Sequence, residues 1–292
     1  MSLILRYYFL TLLFIISINI SYAEPYDFWS HWSDGKAEVN TYELTRIRYG
    51  EERKGLIHLI FVTEPFSKSR RVKVNHYQQM NADHTIALKL NSVESWRTGV
   101  YEYRLMTSHF FDAKNQLKPL KSTFSSQEWC GISFEESTWS KDALMIDGKS
   151  YFEGESKVLS LPSHLRFTDQ LLAIARGLLV GNPKAINLPH ELIESPKQRF
   201  LAHRVLQYYE ATAHFQELKQ IDTVLGSIKV YPLQYKLSGG ESCIINIEAD
   251  APFRIVSWHC EGGERARLIS STRSAYWQKT RRVDELKTNI DY

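Results

Sequence analysis

A mainly β protein, built as a curved antiparallel sheet or half-barrel with one or two packed helices, is the fold class the sequence predicts. Period-two alternation of apolar and polar residues dominates after residue 34, a single clear helical stripe stands near residue 170, and short strand-like runs separated by glycine-rich turns close the chain.

The opening, MSLILRYYFLTLLFIISINISYA, has Arg6 near its start, no acidic residue, a largely apolar run from Tyr7 to Ile20, and a small-x-small ending at Ser21-Tyr22-Ala23. The run is too short for a span and is followed by a cleavage signature, so residues 1–23 are predicted to be a signal peptide cleaved after Ala23. Residues 24–160 are expected to form an N-terminal antiparallel β region. Residues 161–292 supply a helix and a C-terminal β-meander that shares or extends the same sheet. No later stretch reaches transmembrane length, so the mature chain is expected to carry no membrane span.

Strands follow in order. KAEVNTYELTRIRY (Lys36–Tyr49) alternates and breaks at GEERKG, and LIHLIFVTEPF (Leu56–Phe66) is nearly continuously apolar, as in a strand covered on both faces. RRVKVN, HTIALKLN and the aromatic GVYEYRLMTSHFF (Gly99–Phe111) come next. TFSSQEWC (Thr123–Cys130) places Phe124, Ser126, Glu128 and Cys130 on one strand face, with Trp129 on the other. In ALMIDGKSYF, Asp147-Gly148 is the strongest local hairpin signal.

The middle changes period. HLRFTDQLLAIARGLLVGN puts Leu171, Leu172, Ala175, Leu178 and Leu179 on one helical stripe, with Thr168 as a cap, Gly181 as a stop and Pro183 beyond. GNPKAINLPHELIESP reads as a surface crossing. Residues 199–220 fit either a helix or two strands, and the pattern leaves both open. GSIKVYPLQYKL, ESCIINIEA, FRIVSWHC, RARLISST and AYWQKT then read as a meander.

The charge is mild: 36 basic and 33 acidic residues, or 35 − 33 = +2 once Arg6 is removed with the leader. That balance gives no electrostatic case for a nucleic-acid partner. Three cysteines leave one odd thiol. A hairpin centred between Ala251 and Pro252 pairs residues whose numbers sum to 503, which sets Cys243 opposite Cys260 and nominates them as a structural disulfide. Cys130 is then free. As a nucleophile it would need a base, and His109, His203 and His259 are the eligible imidazoles, though none has an identifying spacing. Glu128 on the same face would raise a thiol pKa, and free cysteine packs readily as a small hydrophobe, so the balance favours a packed Cys130.

No metal-ligand spacing, Walker loop, GxGxxG or GxSxG motif stands in the chain, and no metal or cofactor is expected. Aromatics make up 13% of residues and fall on predicted strands, including Tyr101, Tyr103, Phe124, Trp129, Trp258 and Trp277. They either fill the core or line a concavity for an acyl chain or glycan, and these six are the candidate ligand-binding residues.

The strings DGKAEVNTYELTRIRYGEERKGLIHLIFVTEPFSKSRRVKV, ALKLNSVESWRTGVYEYRLMTS and TFSSQEWCG, spanning Asp34 to Gly131, resemble an uncharacterised group of exported bacterial envelope proteins. Some members carry the label septum formation inhibitor of the Maf type, but the Ser/Arg-rich phosphate motif of Maf proteins does not stand here. The C-terminal stretch from Pro232 to Trp277 more loosely resembles exported domains with a half-barrel sheet like that of periplasmic lipoprotein carriers. The resemblance implies a periplasmic protein and supplies no catalytic residue. The expected function is therefore non-catalytic binding of a lipid or other apolar or amphipathic ligand, or of an envelope protein partner, on a curved sheet. The alternative is a thiol-dependent hydrolase or acyltransferase using Cys130.

Overall fold

The structure, a computed structural model, describes residues 26–75 and 81–281. The predicted signal peptide lies outside the described residues. A one-turn helix α1 (Phe28–Trp32) is capped by Asp27, whose carboxylate accepts from the backbone N–H groups of Trp29 and Ser30. Then follow β1 (Ala37–Arg48), β2 (Glu51–Ser67), β3 (Val72–Lys73), β4 (His84–Thr98), β5 (Tyr101–Asp112), β6 (Lys118–Glu128), β7 (Gly131–Trp139), β8 (Ala143–Ser150) and β9 (Lys157–Pro162). A crossing region holds β10 (Arg166–Phe167), α2 (Leu171–Ile174), β11 (Glu191–Ile193) and α3 (Pro196–Ala202). The chain closes with β12 (Tyr208–Phe215), β13 (Lys219–Thr223), β14 (Gly226–Leu237), β15 (Ser242–Glu248), β16 (Ile255–Cys260) and β17 (Arg265–Ser274).

All but one of the pairings are antiparallel; β10 and β11 run parallel. From one end the hydrogen-bonded order runs β9, β8, β7, β6, β5, β4, β2, β1, β17, β16, β15 and β14, with β12 and β13 successively along the outer side of β14. β17 against β1 makes the C-terminal meander continuous with the N-terminal strands.

The predicted half-barrel does not form. β9 pairs only with β8, β10 only with β11, and among the described residues no pairing joins these ends, so the sheet is open and neither closed nor strongly curled. Residues 163–207 cover one face, so no hollow is left for the sheet to wrap. Leu171, Ala175 and Leu178 join sheet residues such as Tyr42, Leu59, Leu90, Leu233 and Ile245 in the main core, and Phe200 stacks on Phe124 of β6 at 5.4 Å. Trp139 and Leu144 pack with Phe167 and Ile193 in a second cluster.

Buried and half-buried cations on this crossing region meet carboxylates on the sheet. Arg176 lies 2.8 Å from Glu38 of β1, Arg199 pairs with Glu135 of β7, and Lys197 lies between Glu94 of β4 and Glu264 near β17. The predicted long helix is cut to α2 because Gly177 takes a left-handed φ of 60° and the Asn182 backbone closes onto it. Asp147-Gly148 is not a turn. Gly148 sits inside β8 opposite Glu135 and Lys157, and a side chain there would come within 3.4 Å of the Glu135 carboxylate. Residues 199–220 resolve into both alternatives: helix to Ala202, strand from Tyr208.

Candidate functional site

One end of the sheet gathers the turns of several hairpins. Tyr49-Gly50 joins β1 to β2 with both residues at positive φ, Gly99-Val100 joins β4 to β5, and Trp129-Cys130 joins β6 to β7. The β14–β15 turn (Ser238–Glu241), the β16–β17 turn (Glu261–Glu264) and α3 meet the same end. Between them opens a cleft of about 690 Å³, lined by Arg48, Tyr49, Leu201, Arg204, Tyr209, Gly240 and Gly262 among others.

Its floor is a self-neutralising ion cluster. Arg46 Nη2 donates to Glu94 Oε1 at 3.0 Å and to Glu264 Oε2 at 2.8 Å, while Lys197 Nζ reaches Glu264 at 3.0 Å and Glu94 at 3.4 Å. Trp258 Nε1–H donates to Glu264 Oε1 at 2.9 Å, and the Arg46 guanidinium lies 4.3 Å over the Trp96 ring. Burial works to raise the Glu264 carboxyl, but Lys197 and Arg46 overcome it and hold it down at about 2. Burial works to lower Lys197, and Glu264 and Glu94 overcome it and raise it. Glu241 is pushed up by burial, although the Gly262 N–H at 3.0 Å and Gln198 Nε2–H at 2.9 Å both donate to it.

Tyr49 on the cleft wall leads into a tyrosine cluster behind it. Tyr49 Oη lies 3.2 Å from Tyr101 Oη and 3.1 Å from Tyr103 Oη, and Arg48 Nη2 donates to Tyr103 at 3.0 Å. Tyr103 stacks on Trp96 at 4.8 Å with rings 2° from parallel, and its phenol is raised, mainly by burial. Hydrogen bonds from Tyr101 and Tyr103 lower that of Tyr49.

The structure therefore scatters the six candidate aromatics. Tyr101 and Trp129 meet at the rim with centroids 6.3 Å apart, and Tyr103 is buried beneath Tyr101. Phe124 is core under Phe200, and Trp258 is buried against Tyr42 below the cleft floor. Trp277 lies exposed beside Tyr276, beyond the sheet, and none of the six lines this cleft.

Cys243 and Cys260 form the disulfide, opposite each other in the register with Cα atoms 4.1 Å apart. Glu241 lies close enough to both sulfurs to suggest a metal site, but the disulfide consumes both thiols. The expectation of a packed Cys130 is corrected: β6 ends at Glu128, and Cys130 is exposed in the hairpin turn. A two-residue turn leaves no second layer to bury it. No described residue is hydrogen-bonded to its sulfur. His109 sits opposite Ser122, eight residues back along β6, which is about 26 Å away at strand rise.

A buried serine and histidine converge with a half-buried aspartate elsewhere. Ser122 Oγ lies 2.6 Å from His109 Nδ1, and Asp169 Oδ1 lies 3.2 Å from His109 Nε2. Ser122 and His109 are both buried, and Gln170 Nε2 donates to the same hydroxyl at 3.4 Å. With the serine and histidine in the core, the three form a polar chain that ties the crossing region to β5 and β6.

The sequence reading missed Arg46, Arg48, Tyr49, Glu94, Lys197, Glu241 and Glu264. One signal was available: Glu94 in SVESW and Glu135 in SFEES occupy inward positions of alternating strands, where a carboxylate requires a buried cation. Among the described residues no helix is long and apolar enough to cross a membrane. No family model, curated protein or solved structure matches the chain.

Proposed function

We propose that this is an exported, non-catalytic binding protein whose cleft between the β1–β2 turn, α3 and the two C-terminal hairpin turns receives an amphipathic ligand. The observation that carries the reading is the cleft itself. It offers about 690 Å³ of open volume over a floor whose charges already neutralise one another. The four charges of that floor leave none of them free, Glu241 beside them is held by the Gly262 N–H and Gln198, and the walls mix guanidinium groups, glycine backbone and aromatic rings. Polar ends of a ligand meet the guanidinium groups of Arg48 and Arg204, which the protein already holds through Tyr103 and Glu194, and apolar parts meet Ile47, Tyr49 and Leu201. The thiol-dependent alternative loses ground to the isolation of Cys130 from any imidazole on β5.

Native mass spectrometry of protein purified from the envelope tests this. A copurifying small molecule is expected, and Ala202→Trp, which fills the cleft mouth from the end of α3, is expected to exclude it. Protein that carries nothing from envelope extracts, or a ligand retained unchanged by Ala202→Trp, would overturn the assignment of this cleft.

A further inference from the structure

Turns at the two ends of the sheet differ in chemistry. At the end away from the cleft, the neighbouring turns of the N-terminal strands read Lys68–Arg71, Lys114–Gln116 and Ser140–Asp142, polar and charged as solvent-exposed turns ordinarily are. Val224–Leu225, on the separate β13–β14 hairpin, is an apolar tip, and Trp29, Val72, Tyr276 and Trp277 are 39–46% exposed outside those turns. At the cleft end, successive tips instead carry Tyr49, Val100 and Trp129, 62%, 83% and 75% exposed, and the β8–β9 loop adds Tyr151 at 65%. The four belong to hairpins β1–β2, β4–β5, β6–β7 and β8–β9, which lie side by side in that order. Tyr49 touches Tyr101, Tyr101 touches Trp129, and the Tyr151 ring lies over Gly131, so the row is continuous.

The geometry points to this row as a surface that docks on a lipid bilayer, with the hairpin tips seated in the headgroup region. Tips of adjacent hairpins in one sheet are spaced by about 10 Å, in a row of about 34 Å over eight strands. Tyr and Trp, with an apolar body and one polar atom, are the side chains that favour that boundary. A protein partner of ordinary stability buries about 800 Å² per side, and a row one side chain wide offers less than that. The rim carries Arg48, Arg53 and Arg97 against Glu51, Glu52, Glu128 and Glu153, with no excess of positive charge, so attachment comes from apolar insertion rather than from attraction to anionic lipid. The inference does not rest on what occupies the cleft.

Co-sedimentation of the mature chain with vesicles of phosphatidylethanolamine and a minor share of phosphatidylglycerol is the test. Binding is expected, is expected to persist in high salt, and is expected to weaken by about tenfold or more in Val100→Glu/Trp129→Glu. Quenching of tryptophan fluorescence by brominated acyl chains is expected in the native chain and should fall in Trp129→Phe, a substitution that leaves the sheet untouched. Ala202→Trp is expected to bind vesicles normally, which separates this surface from the cleft. No vesicle binding, binding abolished by salt, or binding retained in full by the double variant would overturn the proposal. So would a protein partner that requires these tips while vesicles do not bind.

Discussion

Arg176 is fully buried, and every neighbour that makes its charge tolerable comes from a distant part of the chain. Its Nε donates to the Phe253 carbonyl at 2.9 Å, and Nη2 donates to the Pro252 carbonyl at 2.8 Å and to Glu38 Oε2 at 3.0 Å. The guanidinium plane also lies 4.3 Å over the Phe61 ring. Glu38 is buried as well, so removing the arginine alone strands a carboxylate without water or counter-charge. Arg176→Met is expected to cost about 3–5 kcal/mol in urea unfolding, and adding Glu38→Leu should recover a substantial part, because the pair can be replaced by apolar volume where neither half can. A single-variant cost below about 1 kcal/mol would mean that Glu38 finds another partner or takes up a proton at little cost.

At the scale of elements, the β15–β16 hairpin shows how much a short pattern can specify. Its pairs Cys243↔Cys260, Ile244↔His259, Ile245↔Trp258 and Asn246↔Ser257 all keep the sum 503, and the register slips only at Ile247, nearest the turn. The disulfide ties the strand that follows the β14–β15 turn to the strand that precedes the β16–β17 turn, and both turns wall the cleft. Cys243→Ser/Cys260→Ser is expected to lose about 3 kcal/mol, as for a closed loop of this length, with far-UV circular dichroism unchanged. A melting temperature insensitive to reductant in the native protein would contradict that. Strand positions such as Leu56–Phe66 were legible because alternation and continuous apolar runs are local. The helical stripe around residue 171 runs further in the sequence than in the structure because the pattern contains Leu178 and Leu179 but not the Asn182 backbone that presses on Gly177. Asp147-Gly148 read as a turn because its role depends on Glu135, twelve positions away and itself paired with Arg199. The cleft was not legible for the same reason: its floor joins residues separated by 218, 103 and 67 positions.

Across the whole molecule, the ion cluster under the cleft links both ends of the chain, since Arg46 and Glu94 belong to the N-terminal strands and Glu264 to the last hairpin, with Lys197 between them. Its titration should therefore be visible in global unfolding. Glu264 is held at about 2 in the folded protein against an ordinary value of 4.5, so its contribution is fully present above about pH 5 and is lost as pH falls toward 2. That loss is on the order of 3 kcal/mol. Glu135 and Glu241 act in the opposite sense. Burial raises both, so folding favours their protonated forms and they contribute stability at low pH that is lost as pH rises past the ordinary carboxylate range. Lys197 is raised, so its share is complete below its ordinary 10.5 and is lost only at more alkaline pH. The opposing carboxylates flatten the profile near pH 5, and below about pH 4 the Glu264 term dominates. Thermal melts from pH 7 to pH 2 are expected to show a shallow upper limb and a steep fall at the acid end. In Glu264→Gln the melting temperature should be lower at pH 7 and the acid fall much reduced, because the variant has no carboxylate there to protonate. An acid limb of undiminished steepness in that variant would place the transition at other carboxylates and remove the cluster from its central role in stability.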